Sequence, residues 1–174
     1  MTAPQKQQKQ AKRSNLPLIL TAVILVCVAS VVVFLNIGSD KKSDENAVQV
    51  VNAGDKLVIP VEEVTETAAF YPLEVDGTSM EVLAIRDSAG TVRTAFNTCQ
   101  SCFTSGRGYY EQQDGYLVCQ NCGNRFTAEQ VEVQAGGCNP WPIFAENKTV
   151  TEDSIEIAYD YLKEATVIFQ KWKV

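Results

Sequence analysis

One long apolar run and a series of short alternating segments divide the chain into two unlike parts. The run, residues 16–37, holds 22 consecutive uncharged residues. As a helix it would span about 33 Å, which is enough to cross the hydrocarbon core of a bilayer. A cleaved secretory signal has a core of only about 7–15 apolar residues. The pattern therefore predicts a retained, single-pass transmembrane helix.

Beyond this run, short apolar segments alternate with turn signals, which is typical of antiparallel strands. Strands are predicted over residues 56–61, 70–75, 80–85, 92–96, 116–119 and 154–158. Asp76-Gly77 and Asp114-Gly115 are hairpin turn signals. Residues 127–130 fit a capping box, and the prolines in 139–143 favour an extended segment. Residues 159–172 are compatible with a short helix or a further strand. The predicted fold class is one transmembrane helix followed by a small, mainly antiparallel β domain.

Charge orients the two parts and sets their boundaries. Four of the 15 basic residues precede the apolar run, and all 21 acidic residues follow it. This bias predicts a cytoplasmic N-terminus and an exported C-terminal domain in the cell membrane. The exported part would carry a net charge of about −10, which disfavours nucleic-acid binding. The expected organisation is a basic tail at residues 1–15, a transmembrane helix at 16–37, a linker at 38–54 and an exported metal-binding β domain at 55–174. The metal core of that domain is expected at residues 96–143.

Two Cys-x-x-Cys pairs are the strongest chemical signal. Cys99 and Cys102 form the first pair, and Cys119 and Cys122 form the second, 16 residues further on. Two residues between cysteines let both sulfurs converge on one ion from a single turn. These four cysteines are the predicted metal ligands. A fifth, Cys138, is expected to be an additional ligand or to lie beside the site.

The spacing leaves several kinds of site open. The chain has no histidine, which removes His-ligated haem, Cys2His2 zinc and Ser-His or Cys-His catalysis. Structural zinc and an iron–sulfur cluster fit four thiolates equally well. Disulfides are weaker explanations, because five exported cysteines leave one unpaired and Cys-x-x-Cys closes a loop too small to stabilise a fold. Thiol–disulfide exchange would place the motif before a long helix, which neither pair precedes.

Residues beside the cysteines are expected to support the site. Gly123 follows Cys122 and lacks a Cβ, so backbone amides can approach the thiolate sulfurs there. Phe103 occupies the equivalent position of the first pair, so the two pairs are not equivalent. Arg93, Arg107 and Arg125 lie near the pairs in sequence, where they would offset thiolate charge or belong to the surface.

The motifs, in order, resemble the FtrD-like family. The resemblance is carried by residues 96–102, Gly108-Tyr109, residues 117–126 and residues 136–140, and it spans roughly residues 55–160. Members of that family are membrane iron–sulfur containing proteins often associated with bacterial ferrous-iron transport. The resemblance implies an iron–sulfur cluster held by the two Cys-x-x-Cys pairs, with a fifth cysteine beside it.

A more distant similarity is to Rieske proteins, in which two loops at hairpin tips hold a cluster. Cysteines stand here in both histidine places, and Gly123 and Phe126 occupy positions as in the second loop. The β domain would then be Rieske-like, with zinc-ribbon-like as the alternative. Loss of both imidazoles would lower the reduction potential toward about −400 mV.

The function expected from these observations is electron transfer or iron handling beside a ferrous-iron permease or a redox partner protein. A zinc-stabilised structural or binding module at the membrane is the alternative, and a thiol–disulfide redox protein is the second alternative. The chain shows no catalytic triad, phosphate loop or distinctive pair of carboxylates, so we do not expect an enzyme.

Overall fold

The computed structural model describes residues 47–133 and 136–174. Eleven strands, one α-helix and five short 3₁₀ helices occur within these residues, and the strands and the α-helix position the site. They are β1 Gln49–Val50, β2 Lys56–Pro60, β3 Ala69–Val75, β4 Thr78–Arg86, β5 Val92–Cys99, β6 Tyr110–Gln113, β7 Tyr116–Cys119, β8 Arg125–Phe126, β9 Pro140–Pro142, β10 Thr149–Val150, β11 Ser154–Ala158 and α1 Tyr159–Ala165.

The strands form three sheets that are almost entirely antiparallel. Their orders are β1-β3-β4-β5-β9, β10-β11-β2 and β6-β7-β8. The parallel pairing of β1 with β3 is the exception among the described strands. The mainly antiparallel β domain predicted from the sequence is therefore confirmed.

Strand β4 separates two hydrophobic clusters because both of its faces are buried. Val82 and Ala84 face a cluster that includes the second sheet and α1. Leu83 and Ile85, on the opposite face, join a cluster that contains three of the paired cysteines. Alternate side chains of a strand point to opposite faces, so a nearly continuous apolar run is what such a central strand requires.

Two tight turns connect the hairpins as the sequence predicts. Asp76-Gly77 joins β3 to β4, and Asp114-Gly115 joins β6 to β7, with all four residues at positive φ. Such a backbone matches the twist of the flanking strands and favours Asp-Gly. The capping box of Thr127 and Gln130 is also present.

Residues 49–51, which were predicted from the sequence to belong to the linker, contact the β domain, because β1 pairs with β3 and Val51 is buried. Residues 159–172 form α1 followed by a 3₁₀ turn at Thr166–Phe169. No helix among the described residues is long and apolar enough to cross a membrane. The predicted transmembrane segment, 16–37, lies outside the described residues.

Candidate metal centre

The two Cys-x-x-Cys pairs meet at the edge of the second hydrophobic cluster. The sulfur atoms of Cys99, Cys102, Cys119 and Cys122 all lie within 4.8 Å of one another. Cys99 ends β5 and Cys119 ends β7, so two different sheets each deliver one pair. The first three side chains are buried, with exposures of 0, 8 and 1%, whereas Cys122 is exposed. The site therefore joins three buried cysteines with one exposed cysteine.

The first pair is folded into a turn that the following chain covers closely. The backbone N–H of Cys102 donates to the Cys99 carbonyl at 3.1 Å, and the Cys99 N–H donates to the Gly108 carbonyl at 2.6 Å. A Cβ on Gly108 would lie 2.4 Å from the Cys102 carbonyl oxygen. Only glycine fits at residue 108 without moving this turn.

The second pair is closed by Gly123, whose φ is +73°. Its N–H donates to the Cys119 carbonyl at 2.8 Å, and the Cys119 N–H donates to the Asn124 carbonyl at 3.0 Å. The Asn124 N–H in turn donates to the Cys122 sulfur. Because left-handed backbone costs other residues about 1–2 kcal/mol, glycine here lets the next amide reach the sulfur.

The two turns are not equivalent. Phe103, in the place that corresponds to Gly123, begins a 3₁₀ turn and packs edge-on against Trp141, with ring centroids 5.9 Å apart. Phe126 packs edge-on against Tyr110 and joins the cysteine-containing cluster.

The arginines near the pairs have other described partners or none. Arg93 pairs with Asp87 at 3.0 Å, and Arg125 lies 3.9 Å from Asp114 with its guanidinium over the Tyr116 ring. Arg107 is exposed. No described contact joins these guanidinium groups to a cysteine.

Cys138 lies beside the four sulfurs on a separate loop. Its side chain interacts with that of Cys122, and its backbone carbonyl accepts hydrogen bonds from the Tyr110 hydroxyl and, at 3.6 Å, from the Cys99 thiol. Gln100 fastens the same loop, because its side-chain oxygen accepts from the Gly136 N–H at 2.7 Å. Cys138 therefore contacts the site without being one of the four convergent sulfurs.

Sequence reasoning missed the polar network that supports the first pair. Asn97 accepts a hydrogen bond from the Tyr110 N–H at 2.7 Å and donates to Glu81 at 2.5 Å. Lys173 lies 3.3 Å from Glu81, and the Trp172 indole N–H donates to the Asn97 carbonyl at 2.7 Å. The only available signal was Asn97, an amide side chain in β5 two positions before Cys99.

The thiols differ in how readily they lose a proton. Burial raises the pKa of Cys102 to about 11 and the pKa of Cys119 to about 12. Burial also acts to raise the pKa of Cys122, but the Asn124 N–H and neighbouring thiols outweigh it, so that pKa lies below its usual value. A metal that binds here must displace protons from buried thiols, and thiolate sites commonly do so.

The donor set fits a thiophilic metal. Metal–sulfur bonds of about 2.3 Å in a tetrahedron place neighbouring sulfurs about 3.8 Å apart, and the observed limit of 4.8 Å is close to this value. Four sulfur ligands are typical of zinc and of iron–sulfur sites. Sulfurs this close suit one tetrahedral ion directly, whereas a cluster of several irons would require the two turns to move apart.

One comparison with known proteins gives a match. A family model described as "Membrane iron-sulfur containing protein FtrD-like" matches residues 44–169 of the chain, which include all five clustered cysteines. No curated protein and no solved structure gives a significant match.

Proposed function

The chain belongs to the FtrD-like family of membrane iron–sulfur containing proteins, and on that premise we propose that it is an iron-binding redox protein tethered to the membrane. Cys99, Cys102, Cys119 and Cys122 would hold the iron, which supplies one-electron chemistry when bound. The protein would serve a ferrous-iron transport system as an electron-transfer or iron-handling accessory. A partner permease or oxidase would supply the transport or catalytic step, and this chain would not act as an enzyme.

The convergence of the four sulfurs is the observation that carries the proposal. They lie within 4.8 Å of one another although they come from two sheets and adjoin an apolar cluster. Four thiolates at this site need a positive charge among them in a medium of low dielectric constant, and a bound metal would supply it in place of the thiol protons. Cys122, the exposed residue among the four, would give electrons or iron a short route between the site and a docked partner.

The proposed attachment to the membrane is inferred from the sequence, because the apolar segment lies outside the described residues. We propose that residues 16–37 span the cell membrane, with residues 1–15 in the cytoplasm and the β domain outside. A membrane-impermeant maleimide added to intact cells should then label Cys122 in metal-depleted protein. Labelling that requires lysis would contradict this orientation.

Ferrous-iron uptake tests the physiological proposal. Cells that lack the gene should take up radioactive Fe²⁺ more slowly, and the wild-type gene should restore the rate. Cys99→Ser should fail to restore it, because a site of three thiolates holds iron poorly. Full uptake with Cys99→Ser protein, at matched protein levels, would contradict a role for the site in iron transport.

A zinc-stabilised binding module is the second candidate function. The compactness of the four sulfurs favours it, since one tetrahedral ion needs closer sulfurs than a cluster of several irons. In that case the metal would fix the hairpin tips for a partner and would exchange no electrons.

A further inference from the structure

We propose that Cys122 and Cys138 are a redox modification site: they form a reversible disulfide when the metal centre is empty, and this disulfide prevents metal from binding. The effect of the disulfide on metal binding rests on the metal-binding function proposed above. The disulfide itself depends only on the two thiols and their surroundings.

The loop of Cys138 lies against the four sulfurs. Its backbone carbonyl accepts from the Cys99 thiol at 3.6 Å, the Cys99 and Cys122 sulfurs are within 4.8 Å of each other, and the Cys138 side chain interacts with that of Cys122 although the two belong to different loops. A disulfide needs its two sulfurs to approach without displacing secondary structure. Neither cysteine lies within a strand or helix, so both side chains can adjust.

Solvent reaches Cys122 and Cys138 more readily than the other three cysteines of the site. Among the five cysteines that the structure describes, Cys99, Cys102 and Cys119 are buried, Cys138 is half-buried and Cys122 is exposed. Reaction of a thiol with a dissolved oxidant requires exposure. The two thiols that solvent can reach are therefore the two that contact each other across the loops.

Two side chains hold the Cys138 loop in place. The Tyr110 hydroxyl and the Gln100 side chain bind its backbone at residues 138 and 136, which keeps the loop against the first pair. Gly136 and Gly137 precede Cys138 at φ values of +102° and +65°. The thiol is thus kept close to Cys122 by a segment that retains backbone freedom.

The chemistry balances with a peroxide as the oxidant. The Cys122 thiolate attacks hydrogen peroxide, the O–O bond breaks, and Cys122 becomes a sulfenic acid as hydroxide leaves and takes up the thiol proton to form water. The Cys138 sulfur then attacks the sulfenic sulfur, the S–O bond breaks, and a second water leaves. Overall, two thiols and one peroxide give one disulfide and two waters, and two electrons pass from sulfur to peroxide. A dithiol reverses the step by exchange.

The state of the metal centre decides whether this reaction occurs. A bound metal occupies the Cys122 sulfur and protects it from peroxide. In the empty protein the disulfide removes one of the four ligands, so the remaining three cannot complete a tetrahedral site. Oxidised, empty protein therefore stays empty until it is reduced.

Peptide mapping tests the disulfide directly. The full-length chain is stripped of metal under reducing conditions, exposed to one equivalent of hydrogen peroxide, alkylated and digested with trypsin. Cleavage at lysine and arginine separates the first pair, the second pair and Cys138 into the peptides 94–107, 108–125 and 126–148. We expect 108–125 linked to 126–148, with Cys119 alkylated. Disulfides confined to 94–107 or to 108–125 would overturn the proposal.

Cobalt binding tests the consequence and needs no iron. Oxidised wild-type chain should give less than a tenth of the Co²⁺–thiolate absorption of reduced chain, and a dithiol should restore it. Cys138→Ser protein treated with the same single equivalent lacks the resolving thiol and should hold Cys122 as a sulfenic acid, which dimedone labels in the 108–125 peptide. Wild-type protein whose 108–125 peptide takes up as much dimedone as that of Cys138→Ser, with no link to 126–148, would overturn the proposal. Because mapping and cobalt binding do not depend on the native metal, a zinc protein would contradict the proposed iron function and leave these results unaffected.

Discussion

Gly108 and Tyr110 lie beside the cysteines, and each makes a contact that restricts which residue can stand at its position. Gly108 lies against the backbone of the first pair, so its constraint is steric. Tyr110 is fully buried, and its hydroxyl holds the loop of Cys138. Each can be tested with a nearby residue of the same type as the control.

Gly108→Ala should disrupt the first pair. The added methyl would lie 2.4 Å from the Cys102 carbonyl oxygen and 2.9 Å from the Phe103 nitrogen, so the turn must move. We expect the purified protein to contain less than half of the wild-type metal, measured by elemental analysis.

Gly115→Ala is the matched control. Its Cβ would meet no atom within 4 Å, and only its positive φ is unfavourable, which costs about 1 kcal/mol. It should be slightly destabilised but fully loaded with metal. Equal metal loss in both variants would show that the contact at residue 108 is unimportant.

Tyr110→Phe should loosen the Cys138 loop. The change removes the hydrogen bond to the Cys138 carbonyl and leaves the ring packed against Phe126, at a cost of about 1 kcal/mol. Alkylation of Cys138 by iodoacetamide should become several-fold faster. The control is Tyr109→Phe, since the described contact of Tyr109 is through its ring. No acceleration in Tyr110→Phe would contradict the anchoring role.

At the scale of elements, the segment from β8 to β9 is held by two carboxylates of different kinds. Glu132 is nearly buried and pairs with Lys148, whereas Glu129 lies at the surface and binds Ser88. The segment leads to the loop that carries Cys138, so its attachment bears on the metal centre.

The Glu132–Lys148 pair should contribute strongly to stability. The two groups are 2.6 Å apart with side-chain exposures of 11 and 4%, and Glu132 also accepts the Thr94 N–H at 2.8 Å. Removing one member of a buried pair leaves an uncompensated charge and costs about 3–5 kcal/mol. Lys148→Met should lower the free energy of unfolding by that amount in urea titrations.

The exposed pair of Lys56 and Glu156 gives the comparison. Its groups are 2.7 Å apart, but Lys56 is half exposed, and such pairs contribute about 0–1 kcal/mol. Lys56→Met should therefore be nearly neutral. A Lys148→Met protein as stable as Lys56→Met would contradict the assignment of the buried pair.

Glu129 should make stability depend on pH. The Thr127 hydroxyl, its own backbone N–H and Ser88 lower the pKa of Glu129 to about 2. Because this pKa is lower in the folded than in the unfolded protein, the carboxylate stabilises the fold above about pH 4.5, and the effect is lost as pH falls toward 2.

Urea midpoints of wild-type and Glu129→Gln protein give the measurement. The variant should unfold at lower urea than wild type at pH 7, and the difference should shrink between pH 4.5 and 2.5. Glu62→Gln, at an exposed carboxylate without a described partner, should show no such trend. A difference that stays constant over this range would contradict the account.

The strands and turns could be predicted because local patterns determine them. Alternating apolar residues and Asp-Gly turns placed β7 and β11 at their observed bounds. The last element was ambiguous, since the apolar positions of residues 159–172 fit the period of a helix as well as that of a strand. Packing of this segment into the hydrophobic core selects the helix. β1 was missed because two exposed residues give no periodic signal and form a strand only by pairing with β3.

At the scale of the whole molecule, the sequence predicted which cysteines pair but not what surrounds them. Cys-x-x-Cys spacing is local, so the convergence of Cys99 with Cys102 follows from one turn. The contacts of Tyr110 with the Cys138 loop and of Trp172 with Asn97 join residues 28 and 75 positions apart. Such contacts depend on the arrangement of the sheets, which no local pattern encodes.

The metal content of the full-length chain, purified without oxygen, tests the central claim most directly. The account predicts a brown protein that contains iron and acid-labile sulfide and bleaches with dithionite. Cys99→Ser and Cys122→Ser should be colourless, whereas Gly115→Ala should keep the colour. A colourless wild-type protein with one zinc per chain, and without iron after reconstitution with iron and sulfide, would contradict the claim.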